Sequence, residues 1–299
     1  MDTPASREFL HKTTGMGKQK EYLARIELIV LTAWLAKDGA WVLLLAPLAW
    51  PAALAAVGLE VHSVLLDWST SSCGLRVHTI AALAWLLGNA TWMTAELLFD
   101  KKSGMDKAGM PLFPWHSGPL GGVNDKAYDT GVLWAQVLFV AALVSLLCYY
   151  VVCLKGLLFG EPSSPQESGG NPQDEDAAAE TPIRGDELIF GVVTPAVYAH
   201  VFIGPWIVKD LFWSFELLYP AVVFSIIAFT LTADAYRRFH MPTNLVEMFW
   251  IVANTAWIYG ELGVGGLWPR LLCAALLFVG MALALTAYCQ LSLQSEADD

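Results

Sequence analysis

Residues 34–41 read Trp34-Leu-Ala-Lys37-Asp38-Gly-Ala-Trp41, and residues 206–213 read Trp206-Ile-Val-Lys209-Asp210-Leu-Phe-Trp213. Both are W-x2-K-D-x2-W, set 172 residues apart. A second matched pair lies downstream of each. Trp85-x3-Asn89-x2-Trp92-x3-Glu96 is answered 165 residues later by Trp250-x3-Asn254-x2-Trp257-x3-Glu261. Between them Arg76-Val-His78 is answered by Arg238-Phe-His240 at an offset of 162. The three blocks keep their order, and the first two are built of residue types uncommon in apolar helices. Coincidence explains this poorly, and a duplicated unit is expected.

Each long block marks one face of a helix. Trp34, Lys37, Asp38 and Trp41 fall at i, i+3, i+4 and i+7; Trp85, Asn89, Trp92 and Glu96 at i, i+4, i+7 and i+11. A Lys or Asp facing lipid at mid-span costs about 2.5–3.5 kcal/mol on insertion scales. The stripes are therefore expected to face inward, toward other helices.

The rest of the chain says why lipid is the relevant solvent. Of 299 residues 56% are hydrophobic and 15% charged, with a mean hydropathy of +0.50; soluble domains sit nearer 45–50% and about 25%. Nearly uncharged runs such as 133–154 and 271–285 have the length of membrane spans. An ordinary soluble enzyme, a disordered chain and a β-barrel do not fit these runs. A net charge of −11 disfavours nucleic acid as a partner. Five Cys without C-x2-C spacing indicate neither a disulfide framework nor a metal site.

The expected fold is all-α: a polytopic membrane protein of about eight transmembrane helices, near 23–46, 50–67, 77–99, 132–155, 190–217, 219–234, 244–262 and 269–290. Pro47, Pro51 and Pro220 at the openings of the second and sixth spans fit tight reversals, with a kinked or re-entrant segment as the alternative. The domain reading is a tail at 1–22, a four-helix repeat at 23–155, a flexible acidic linker at 156–189, a second four-helix repeat at 190–290 and a tail at 291–299. Residues 160–187 are rich in Pro, Ser, Gly and Glu and cannot bury an apolar face. An even number of spans per unit makes the repeats parallel, related by a two-fold along the membrane normal. Ten Lys and Arg fall on the side of the termini and five on the other, which places both termini in the cytoplasm, matrix or stroma.

Function is then sought in the stripes. Lys37, Asp38, Asn89, Glu96, Lys209, Asp210, Asn254 and Glu261 are the candidate binding residues for a small solute, proton or cation. Trp34, Trp41, Trp85, Trp92, Trp206, Trp213, Trp250 and Trp257 flank them. Lys37 is expected to meet Glu96 or Asn89. Adjacent helical side chains splay by about 100°, so Asp38 is expected to bond not Lys37 but Asn89, an indole N–H or a group of the other repeat. Each repeat contributes one Lys, one Asp and one Glu, a sum of −1, which calls for a protonated carboxyl, a bound cation, or a Glu reaching interfacial water. Pro205 is expected to kink the fifth helix. Arg76, His78, Arg238 and His240 are read as a gate or lipid contact, against plain positive-inside anchoring. Haem on His62 or His200, and retinal on Lys37 or Lys209, lack supporting residues, and no cofactor, metal or catalytic group is expected. The leading expectation is a transporter or channel in a lipid bilayer. The alternative is a non-catalytic scaffold or receptor whose stripes hold helices together. A lipid-acting enzyme is disfavoured, because no nucleophile–base pair or His box is present.

Overall fold

The computed structural model describes residues 4–68, 73–99, 124–159, 198, 201–264 and 267–298. Among them the chain is helical throughout. The helices are α1 (Pro4–Val42), α2 (Ala46–Asp67), α3 (Cys73–Leu98), α4 (Asp125–Phe159), α5 (Ile203–Ser214), α6 (Leu218–Phe239), α7 (Pro242–Tyr259, continued by a π-helical turn Gly260–Val264) and α8 (Leu267–Asp298). The linker at 160–187, residues 100–123 between the third and fourth expected spans, and His200 lie outside the described residues. α1 begins at Pro4, so the segment read as a tail is largely helical.

Four helices, α2, α4, α6 and α8, are long and apolar enough to cross a membrane, and less than a third of each such stretch is buried inside the protein. They fit an integral membrane location with lipid against their outer faces. α1, α3, α5 and α7 carry the Trp/Lys/Asp and Trp/Asn/Glu stripes, most of whose side chains are buried, and form the inner set. Each helix packs on its sequence neighbours, and α8 closes the circuit on α1. Two further contacts cross the interior, α1 with α7 and α3 with α5.

Short turns set this packing. α1 ends at Leu44, which has φ 56°, and the Leu45 N–H reaches back to the Ala40 carbonyl at 2.7 Å. α5 ends the same way at Glu216, φ 61°, with Leu217 N–H on the Phe212 carbonyl at 3.0 Å. Both are left-handed C-terminal caps carried by side-chain-bearing residues instead of glycine. They reverse the chain within three residues, as the prolines suggested. Pro205 does not kink a helix: it lies in the first turn of α5, where its missing N–H removes no bond. Small residues let α3 and α4 approach closely. A Cβ on Gly131 would stand 2.6 Å from that of Ala95, and one on Gly88 2.6 Å from the Phe139 ring.

Candidate functional site

The inner helices each contribute two tryptophans one stripe apart, and the eight rings form two layers. Trp34, Trp85, Trp206 and Trp250 make one, with Trp34–Trp85, Trp34–Trp250, Trp85–Trp250 and Trp206–Trp250 centroids 5.1, 5.2, 5.4 and 4.5 Å apart. Trp41, Trp92, Trp213 and Trp257 close a ring of four, with successive centroids 5.7, 4.9, 5.1 and 4.8 Å apart. Most of these pairs meet edge to face, the arrangement that the aromatic quadrupole favours by roughly 0.5–1.5 kcal/mol per pair.

Between the layers in sequence sit the charges. Lys37 pairs with Asp38 and Lys209 with Asp210. This corrects the expectation that adjacent residues would not pair. The four-carbon lysine stem spans the angular gap, and in a desolvated core the nearest counter-ion wins. Both ammonium groups also face indole rings, Lys209 Nζ standing 3.8 Å from the Trp206 centroid and Lys37 Nζ 5.2 Å from that of Trp41. Both lysines are 0% exposed, so no water-sized space touches them.

The carboxylates bond across the bundle. Asp210, on α5, accepts the Trp85 indole N–H from α3 at 2.6 Å and Asn89 Nδ2 at 3.3 Å. Asp38, on α1, accepts the Trp250 indole N–H from α7 at 2.7 Å. An indole partner and a partner from the other half were among the expected ones. Asn89 and Asn254 also return Nδ2 to the carbonyls of Trp85 and Trp250, at 3.3 and 3.1 Å.

Glu96 and Glu261 lie beyond this layer, in neither Lys–Asp pair. Glu96 is buried and accepts the Trp41 and Trp92 indole N–H groups at 3.1 and 3.0 Å, with Tyr128 Oη at 3.4 Å. Glu261 stands in the π-helical turn, accepts the Trp213 N–H at 3.2 Å and pairs with Arg270 at 3.2 Å. Lys37 therefore meets neither Glu96 nor Asn89. Three core indoles, Trp34, Trp206 and Trp257, keep an N–H without a partner.

The Arg/His blocks are not brought together. His78 is buried, its Nδ1 2.8 Å from the Gly74 carbonyl and its Nε2 2.8 Å from Tyr150 Oη, which leaves it no surface from which to gate. Arg76 lies over Trp68 with a centroid distance of 5.3 Å. Arg238 Nε donates to Asp234 at 2.6 Å, and Tyr198 Oη donates to the same carboxylate at 2.6 Å. His240 is exposed and caps α6 in the left-handed conformation, φ 52°.

Sequence reasoning missed a second polar group. Glu60 and Glu247 are buried, Glu27 is half-buried, and Asn244 Nδ2 donates to Glu247 Oε2 at 3.0 Å. None of the four belongs to a matched motif. The signal was present all the same for two of them: Glu60 and Glu247 are each a lone charge in an apolar run. A shallow cleft of 340 Å³ on the outer surface, lined by Leu87, Thr91, Ala95 and Gly131 among others, touches none of these groups. Comparison with family models, with curated proteins and with solved structures finds no match for this chain.

Proposed function

We propose that the protein is an integral membrane transporter or channel for a small solute or ion, built from two copies of a four-helix unit that cross the bilayer in the same direction. The observation that carries the reading is the doubly reciprocal ionic layer: a Lys–Asp pair from each unit, held by an indole N–H from the other. Stability alone is a weak reason to keep such a layer. Apolar replacement of a buried ion pair is commonly neutral or stabilising by about 1–4 kcal/mol. Ionisable groups at membrane depth mark substrate or ion pathways by default, and parallel repeats place their sites on the shared axis. What supports the duplication is the correspondence of neighbours: α1 with α2 and α5 with α6, α1 with α8 and α5 with α4, α1 with α7 and α5 with α3. Leu44 and Glu216, both left-handed, are also 172 residues apart.

In this reading the layer is a closed state, and opening exchanges the indole bonds to Asp38 and Asp210 for contacts to solute or water. The test uses purified protein in liposomes on a solid-supported membrane. Jumps of pH, Na⁺ or K⁺ are expected to give transient currents that vanish in Asp38→Asn with Asp210→Asn. Currents absent from the wild type under every jump, or unchanged in the double variant, would refute the reading.

A second reading, a non-catalytic scaffold or receptor, is favoured by one observation: neither core lysine touches a water-sized space. It expects no current, and a double variant that changes only stability.

A further inference from the structure

The group formed by Glu27, Glu60, Glu247 and Asn244 lies away from the Lys–Asp layer, toward the ends of the helices that carry both termini. It draws on three helices. Glu27 is on α1, Glu60 on α2 and Glu247 on α7, and Glu27 is close enough to act electrostatically on both of the others. A cluster of carboxylates is by itself only a repulsion. What gives it direction is Asn244, which is 2% exposed and whose Oδ1 has no hydrogen-bond donor. A buried amide oxygen left without a donor costs about 1–3 kcal/mol.

The neighbouring carboxyl can supply that donor in one protonation state only. Ionised, Glu247 is acceptor-only, and it can take the Asn244 Nδ2–H but give nothing back. Protonated, it has an O–H. Carboxylic acid and primary amide then complement each other at two points: the amide N–H donates to one carboxyl oxygen, the acid O–H to the amide oxygen. The first bond is in place, Nδ2 to Oε2 at 3.0 Å, three residues apart on one helix. The second is the one that Oδ1 lacks.

We propose that Glu247 and Asn244 form a proton-binding site, in which Glu247 takes one proton from water at the termini-bearing end of the bundle and shares it with the Asn244 carbonyl. The carboxylate becomes a carboxylic acid and no other bond changes. A metal ion suits the group less well: among the described residues no three His, Cys, Asp or Glu side chains are placed to hold one. Among the described residues no basic side chain forms an ion pair with Glu27, Glu60 or Glu247. The basic groups nearest in sequence are Arg25 on α1, two residues from Glu27, His62 on α2, two residues from Glu60, and His240, which caps α6. On α6, Asp234, Arg237 and Arg238 bond one another. α8 brings Tyr288 and Cys289 to the same end. Glu27, half-buried, is the group through which the proton exchanges with solvent. The site stands whatever the protein transports; where the transport reading holds, the proton is its coupling ion.

The test is infrared difference spectroscopy of the full chain in lipid nanodiscs, following the carboxylic-acid C=O stretch as pH is stepped across the neutral range. One protonated carboxyl band is expected that is lost in Glu247→Gln and shifts to higher frequency in Asn244→Leu, which removes the amide. Glu27→Gln is expected to keep the band and move its titration. A band unchanged in Glu247→Gln overturns the proposal. Should Glu247→Gln fail to fold, Asn244→Leu decides: a shifted band upholds the site, an unshifted one overturns it. The readout needs no flux. Silent liposomes with a Glu247-dependent band would sink the transport reading alone, and currents without the band would sink the proton site alone.

Discussion

Lys209→Met separates a buried ionic layer from a surface one. The variant removes the ammonium that Asp210 pairs with and keeps most of the side-chain volume. Asp210 stays in a core position, 1% exposed, with the Trp85 and Asn89 donors at 2.6 and 3.3 Å as its remaining neutralisation. Breaking a buried pair by deleting one partner costs about 3–5 kcal/mol. Two neutral donors remain, which argues for the lower end. The lost contact of Nζ with the Trp206 ring adds about 0.5–2 kcal/mol. The sum is a destabilisation of roughly 3–5 kcal/mol, at least a hundredfold in the folding equilibrium constant. Lys209→Met combined with Asp210→Asn removes both charges and keeps an oxygen acceptor for the Trp85 N–H. It is expected within about 1 kcal/mol of the wild type, since desolvation and attraction nearly cancel. Unfolding in mixed micelles, followed by the fluorescence of the tryptophan layers, measures both variants. A single variant within about 0.5 kcal/mol of the wild type, the range of ordinary surface substitutions, would refute the reasoning, because Asp210 would then be hydrated.

Three further outcomes follow from named contacts. Trp250→Phe deletes the N–H that Asp38 accepts, whereas Trp206→Phe deletes one without a partner; the first is expected to lose about 1.5–3 kcal/mol more than the second, although both rings are equally buried. Gly131→Ala drives a Cβ to 2.6 Å from the Ala95 Cβ and is expected to lose about 1–3 kcal/mol, while Gly39→Ala meets nothing within 4 Å and is expected to gain about 0.5–1 kcal/mol in the same assay. Arg270→Met removes the guanidinium that pairs with Glu261 at 3.2 Å and is expected to lose about 1–3 kcal/mol, with part of the loss restored by adding Glu261→Gln.

Much of the helix content was legible because the helix period is local. Trp34, Lys37, Asp38 and Trp41 share a face by spacing alone, and the cost of charge in hydrocarbon says which way that face turns. The lipid-facing helices were legible from hydropathy. The pairing of Lys37 with Asp38 was not, because helical angles locate Cβ atoms, and a lysine ammonium stands several bonds further on. Nor was the division into inner and outer helices. It depends on which elements neighbour which, and the stripes give depth and facing but no lateral order. His78 was misjudged for a related reason. Its sequence neighbour Arg76 suggested a surface, while its partners, Gly74 one turn back and Tyr150 on α4, take it inside.

The ends of the two stripes show where matched motif residues stop making matched contacts. Trp92 and Glu96 stand four residues apart in unbroken α-helix, and the indole N–H donates to the carboxylate at 3.0 Å. Trp257 and Glu261 have the same spacing, yet the Trp257 N–H has no partner. The difference lies in the residues that follow. The segment Gly260-Glu261-Leu262-Gly263-Val264 winds as a π-helical turn, and a single wider turn rotates Glu261 off the i+4 position over Trp257. Gly260 lets Pro269 pack against this turn, since a Cβ there would lie 2.4 Å from the Pro269 Cβ. The displaced carboxylate finds Arg270, one residue beyond that proline. Ala95 holds the place of Gly260 in the first stripe, where α-helical winding continues through Glu96. A wider turn that leaves an indole without its acceptor holds the second carboxylate less tightly to the aromatic core than the first. The end of α7 is therefore one place where the contacts of the two stripes differ, and one turn rewound from π to α would bring Glu261, already bonded to Trp213, back to the i+4 position over the Trp257 N–H.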